Sequence, residues 1–110
     1  MKVADDVGDR DQRGWSLLGI GMAHRDLGQR DSAFAYMRQA LALVAGIRDR
    51  HMEAAILKDV GRLYLSLRLP DSALVRLRQS RGIAHDFGLR LLEGAASAEM
   101  GRAQRDLWPA

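Results

Sequence analysis

Gly19-Ile20-Gly21-Met22-Ala23-His24 matches the opening of a dinucleotide-binding loop, in which glycines let a backbone approach a pyrophosphate. The third glycine is missing, no strand-like run precedes the segment, and it lies inside a helical pattern, so no cofactor is expected there. His24, His51 and His85 are the candidate bases and ligands. None is spaced three or four residues from another, and no conjunction of a histidine with two carboxylates suggests a metal cage. His24 falls on a packed face and is expected to be half-buried. No serine has a base in its own helix turn; Ser32 and Ser72 follow Asp31 and Asp71, which read as helix caps. The carboxylate pairs Asp5-Asp6 and Asp9-Asp11 belong to a terminal segment that reads as exposed, with Asp9 and Asp49 as cap or turn residues. The chain has no cysteine, which removes thiolate nucleophiles, disulfides, iron–sulfur clusters and cysteine zinc sites. The expectation is therefore a chain that is not an enzyme, with no catalytic, cofactor-binding or metal residues.

What must position the remaining polar residues is one domain, since 110 residues leave no room for two. Hydrophobic residues make up 47% and charged residues 28%, an ordinary globular balance. Two prolines and six aromatics point away from a β-sandwich and toward an all-α chain. No apolar run reaches a membrane span, and the acidic start Met1-Lys2-Val3-Ala4-Asp5-Asp6 does not read as a signal peptide. A cytoplasmic location without membrane contact is expected. The net charge is +3, and fifteen of the 17 basic residues are arginine. Arg76, Arg78 and Arg81 offer a nucleic-acid surface, but the first two lie about 200° apart around a helix, which makes nucleic acid an unfavoured partner.

The chain repeats with a period of forty residues. Leu17, Gly21, Leu27, Asp31, Ser32, Ala33, Arg38 and Gln39 recur as Leu57, Gly61, Leu67, Asp71, Ser72, Ala73, Arg78 and Gln79. Gly61, Arg62 and Leu67 recur as Gly101, Arg102 and Leu107, and Ile20, Val60 and Met100 form an apolar column. Val7-Gly8-Asp9-Arg10, Ile47-Arg48-Asp49-Arg50 and Phe87-Gly88-Leu89-Arg90 read as three equivalent breaks. Within each unit, apolar residues recur at three- and four-residue steps on either side of a turn, which predicts two helices per unit. Five helices are expected, over about 11–27, 31–47, 51–67, 71–87 and 90–107. Asp31 and Asp71 should cap the second members, and Leu69-Pro70 should end the third helix. Residues 1–10 read as the tail of a preceding helix and a break, 11–50 and 51–90 as two repeats, and 91–110 as the first helix of a third. Gly21, Gly61 and Gly101, each costly inside a helix, should mark places where another helix crosses. Ser80 and Arg81 replace Ala40 and Leu41, so the second pair should close less tightly or leave that face more exposed; Arg68 replaces Gly28, so its turn should differ.

The spacing Leu17, Ile20-Gly21, Ala23, Leu27-Gly28, Ala33, Met37, Ala40-Leu41 resembles the tetratricopeptide repeat, a helix–turn–helix unit with small residues at the crossing. Leu57, Val60-Gly61, Tyr64, Leu67, Ala73 and Leu77 carry the resemblance through the second unit. The long period is similar to that of the forty-residue subclass in Pins-type scaffolds and in the C-terminal arrays of bacterial nucleotide-binding regulatory ATPases. The resemblance implies an α-solenoid of antiparallel helix pairs, about two and a half repeats, acting as a protein-interaction module in a bacterial regulatory protein. That subclass carries an Asn after the small glycine; here the place holds Met22, Arg62 and Arg102, so a backbone clamp of that kind is not expected.

In the family the first helix of each pair lines a concave groove. Transferred column by column, the resemblance implies a lining of Trp15, Leu18, Met22, Arg25 and Asp26, then Ala55, Lys58, Arg62, Leu65 and Ser66, then Ala95, Ala98, Arg102, Arg105 and Asp106. This would give an apolar end and a basic end, Lys58-Arg62-Arg102-Arg105, suited to an acidic peptide or a C-terminal carboxylate. The alternative is self-assembly. Leu92, Ala96, Met100 and Leu107, with Leu91, Ala95, Ala103 and Trp108 beside them, would lie on an uncovered face of the last helix and pair two copies into a homodimer.

Overall fold

The alternation of apolar stripes and turns produces five helices: α1 (Val7–Asp26), α2 (Arg30–Ala45), α3 (Arg50–Ser66), α4 (Pro70–Asp86) and α5 (Arg90–Leu107). The computed structural model describes residues 7–107, with side chains from residue 10 onward. Asp5-Asp6, the side chain of Asp9, and Trp108 lie outside the described residues. The helices differ from expectation mainly at the start. α1 begins at Val7 and runs through Gly8-Asp9-Arg10, where a break was expected. One helical glycine costs only about 1 kcal/mol, which a helix of this length carries.

The turns follow a period of twenty. Gly28, Arg48, Arg68 and Gly88 each take a positive φ, at 79°, 55°, 60° and 69°. Arg68 thus adopts the same left-handed conformation as Gly28 rather than a different one. The amides of Gln29, Leu69 and Leu89 each donate to a carbonyl five residues back, closing three helix ends in the same way. Asp49 caps α3 by accepting from the Met52 amide at 2.9 Å. Asp31 and Asp71 do not cap. The caps of α2 and α4 are Gln29 and Leu69, neither with a side-chain cap bond, and the two acids sit in the first turns. There the helix dipole favours a negative charge without a direct bond. Pro70 occupies the first turn of α4, where its missing N–H costs nothing, rather than merely ending α3.

Consecutive helices pack as α1 on α2, α3 on α4 and α4 on α5, while α3 also touches α1, α2 and α5. The result is an elongated all-α solenoid, 60 × 32 × 17 Å. Its main core joins Leu18, Met37, Val44, Met52, Ile56 and Leu63; a second core joins Leu74, Leu77, Met100 and Ala103. Two glycines mark crossings. A Cβ at Gly21 would meet Met37 Cγ at 3.1 Å, and one at Gly61 would meet Leu77 Cγ at 2.6 Å. Gly101 does not: a Cβ there would meet only the end of Arg105, at 4.0 Å. Gly14 is a further close approach, against Met52. Ser80 closes its crossing rather than loosening it, fully buried with Oγ donating to the Ala54 carbonyl at 2.6 Å.

Two apolar sets are placed otherwise than expected. Ile20 is 42% exposed although Val60 and Met100 in its column are buried, because no described helix covers that side of α1. The proposed self-association face is the reverse case. Ala96, Met100 and Ala103 are buried and Leu92 packs on the main core, because α5 turns its apolar stripe inward onto α3 and α4. Only Leu91, at 93% exposure, and Leu107 remain large and open on this helix.

Candidate functional site

The forty-residue period puts equivalent positions of α1, α3 and α5 on one side of the solenoid. Arg25, Leu65 and Arg105 form one such column, Asp26, Ser66 and Asp106 the next, and Arg62 and Arg102 a third. All eight line a single open cavity of about 520 Å³, together with Glu99. Of the residues expected in a groove, this cavity therefore brings together Arg25, Arg62, Leu65, Arg102 and Arg105, with Asp26, Ser66 and Asp106.

The others lie elsewhere. Leu18 and Ala55 are buried in the core, and Met22 is half-buried against it. Trp15 lies near the middle of α1, its ring edge-on to His51 at 5.4 Å between centroids. Lys58 is turned toward Asp59, with Nζ 3.9 Å from Oδ1. The expected apolar end of the groove is thus absorbed largely into packing.

Two acids that the spacing of basic residues did not reveal organise the site. Asp59 is 2% exposed on α3. Its Oδ1 lies 3.6 Å from Arg25 Nη1 on α1 and 3.7 Å from Arg62 Nη1. Arg62 Nε then lies 3.4 Å from Glu99 Oε2 on α5, and Glu99 Oε1 lies 3.8 Å from Arg102 Nη1. The side chains form an alternating ladder, Arg25–Asp59–Arg62–Glu99–Arg102, across all three first helices. The expected basic patch is therefore a mixed surface with four arginines and three acids around the cavity. A readable signal existed: Asp59 and Glu99 are one period apart, and each stands three residues before a recurring arginine.

The ladder is tight in charge but loose in hydrogen bonding. Asp59 Oδ1 and Arg25 Nη1 are both buried without a hydrogen-bond partner. Burial pushes the Asp59 carboxyl above the usual range; Lys58, Arg25 and Arg62 offset part of that rise and Glu99 adds to it. At the other end, the Arg102 side chain is 62% exposed, and Arg105 is exposed with no ion pair among the described residues.

The histidines stay apart from this cavity. His24 stacks on Tyr36 with centroids 5.2 Å apart, and His85 Nδ1 lies 3.0 Å from Glu93 Oε2. Among the described residues no group of three or more His, Asp or Glu could hold a metal ion, and no described helix is long and apolar enough to cross a membrane. A second cavity of about 470 Å³ joins α2, α3 and α4, its lining including Leu41, Leu57, Ile83, Arg76 and Arg78. Arg81 does not line it.

A sequence model of the tetratricopeptide repeat matches residues 12–86. No curated protein and no solved structure matches the chain.

Proposed function

The chain belongs to the tetratricopeptide repeat family, whose arrays mediate protein–protein interaction, and on that premise we propose that the cavity across α1, α3 and α5 receives a partner segment bearing carboxylates. Stacked repeats generate extended concave surfaces of this kind. The observation that carries the reading is the pair Arg102 and Arg105. They stand one turn apart on α5 at the rim of the cavity, exposed, the second without a counter-ion among the described residues. Guanidinium groups bind carboxylates through two parallel hydrogen bonds, which gives geometry as well as charge. Leu65 supplies a small apolar contact beside them.

The forty-residue period supports placing the array in the long-helix subclass of Pins-type scaffolds and bacterial regulatory ATPases, hence in a cytoplasmic regulatory protein. Its role there is that of a docking module without chemistry of its own.

The test is fluorescence anisotropy with a labelled peptide of alternating leucines and glutamates. Binding is expected at low ionic strength and should weaken with salt. Arg102→Glu with Arg105→Glu should remove it while the helical circular dichroism stays unchanged. Arg62→Glu is a poor probe, because it would place a third carboxylate beside Asp59 and Glu99. Peptide binding that survives the double reversal excludes this surface.

A further inference from the structure

We propose that Glu99 is a specificity-determining residue of the groove: it occupies Arg62 in place of a partner, and an acidic segment binds by displacing it. The inference rests on the groove reading above and names what the partner must do there.

Glu99 belongs to the cavity wall yet its side chain is only 14% exposed. Its two carboxylate oxygens are divided between two arginines, at 3.4 Å from Arg62 Nε and 3.8 Å from Arg102 Nη1. Both contacts are ion pairs without a hydrogen bond. They hold Glu99 by charge alone, the weakest kind of hold on a partly solvated pair. Arg62 has a second, buried counter-ion on its own helix, with Nη1 3.7 Å from Asp59 Oδ1, so its charge stays paired through Nη1 when Nε is released. If Glu99 swings away, Arg62 keeps its place and offers its Nε edge to a new carboxylate, where two parallel hydrogen bonds can form. If Glu99 stays, an arriving carboxylate meets a like charge at the same guanidinium. The residue therefore taxes acidic ligands, and only a segment whose carboxylate pairs better than Glu99 does will seat.

The repeat pattern supports a role tied to these arginines. The column Gly19, Asp59, Glu99 carries an acid only on the two helices whose next-turn residue is arginine, Arg62 and Arg102; α1 has Gly19 and Met22 instead. The two acids are not equivalent in place. Asp59 is buried under the ladder, whereas Glu99 faces the cavity.

The same leucine–glutamate peptide tests the proposal on the full chain at low ionic strength. Glu99→Gln should bind it about fivefold more tightly than the wild type. Asp71→Asn is the control. It removes the same charge from an exposed residue of α4 outside the cavity, with no ion pair among the described residues, and should change binding less than about twofold. The gain from Glu99→Gln should shrink in an Arg62→Gln background, because the freed Nε edge is then gone and only the share from Arg102 remains. Circular dichroism melts establish that each variant is folded. Equal gains from Glu99→Gln and Asp71→Asn would reduce the effect to long-range charge and overturn the proposal. Wild-type binding with no gain in Glu99→Gln would overturn it while leaving the groove reading intact. No binding by the wild type or by any variant would overturn both.

Discussion

Ser80 on α4 donates a 2.6 Å hydrogen bond to the carbonyl of Ala54 on α3, at the position where the preceding repeat has Ala40. Ala40 and Ser80 are both fully buried, and the serine adds only a hydroxyl to the Cβ that stands there one repeat earlier. Ser80→Ala therefore leaves no large cavity and removes one hydrogen bond. Urea unfolding should show a loss of about 0.5–1.5 kcal/mol, the net worth of a buried neutral bond. Ser80→Val adds volume against α3 and should cost more, about 1–3 kcal/mol.

The glycine column separates packing from propensity. At Gly61 a Cβ would stand 2.6 Å from Leu77 Cγ and 2.7 Å from its Cδ2, and Leu77 is itself fully buried. Gly61→Ala should destabilise the chain by about 1–3 kcal/mol despite the better helix propensity of alanine. At Gly101 the added atom meets only the tip of Arg105. Gly101→Ala should stabilise by up to about 1 kcal/mol. Thermal melts of the two variants moving in opposite directions is the expected result; a rise in both would show that neither glycine is set by packing.

The columns of the repeat carry most of what could be read beforehand. Helices recur because apolar positions recur, and Arg25, Leu65 and Arg105 meet in one cavity because their spacing equals the period. Three things did not follow. Arg48 and Arg68 hold left-handed turns that composition assigns to glycine, since hydrogen bonding of the flanking amides fixes those turns. Asp59 looks like a solvated charge between Lys58 and Arg62, and only the convergence of α1, α3 and α5 buries it. The stripe on α5 looked uncovered because linear spacing does not tell which earlier helices a last helix folds onto.

The arginine turns give a third test. A non-glycine residue at positive φ is strained by its Cβ, by about 1–2 kcal/mol where nothing compensates. Arg68→Gly should raise the unfolding midpoint, its gain reduced by the larger entropy of glycine in the unfolded chain. The same change at Arg78, exposed in the middle of α4, should lower it.

The burial of the α5 stripe changes what substitutions on it report. Met100 is 5% exposed and Leu91 is 93% exposed. Met100→Glu forces a charge into the second core and should cost more than about 3 kcal/mol, visible as lost helicity and an early urea transition. Leu91→Glu should stay within about 0.5 kcal/mol of the wild type. A stable, folded Met100→Glu chain would show that α5 does not rest on α3 and α4.

Asp59 couples folding to protons with an unusual sign. Its carboxyl faces Arg25 from α1, Lys58 and Arg62 from its own helix, and Glu99 from α5. Burial holds its native pKa above the ordinary 3.8, with Glu99 adding to the rise and the three cations offsetting part of it. The native chain therefore keeps a proton on Asp59 at pH values where the unfolded chain has released it. By linkage, this group's contribution to stability grows as pH falls through the raised native pKa and levels off below the unfolded value. A carboxylate held by hydrogen bonds would slope the other way. The measurement is the unfolding free energy of the wild type minus that of Asp59→Asn, from urea melts between about pH 7 and about pH 3. The expected difference rises toward acid. A difference that falls toward acid would mean that the guanidinium groups of Arg25 and Arg62 outweigh burial and hold Asp59 ionised within the ladder.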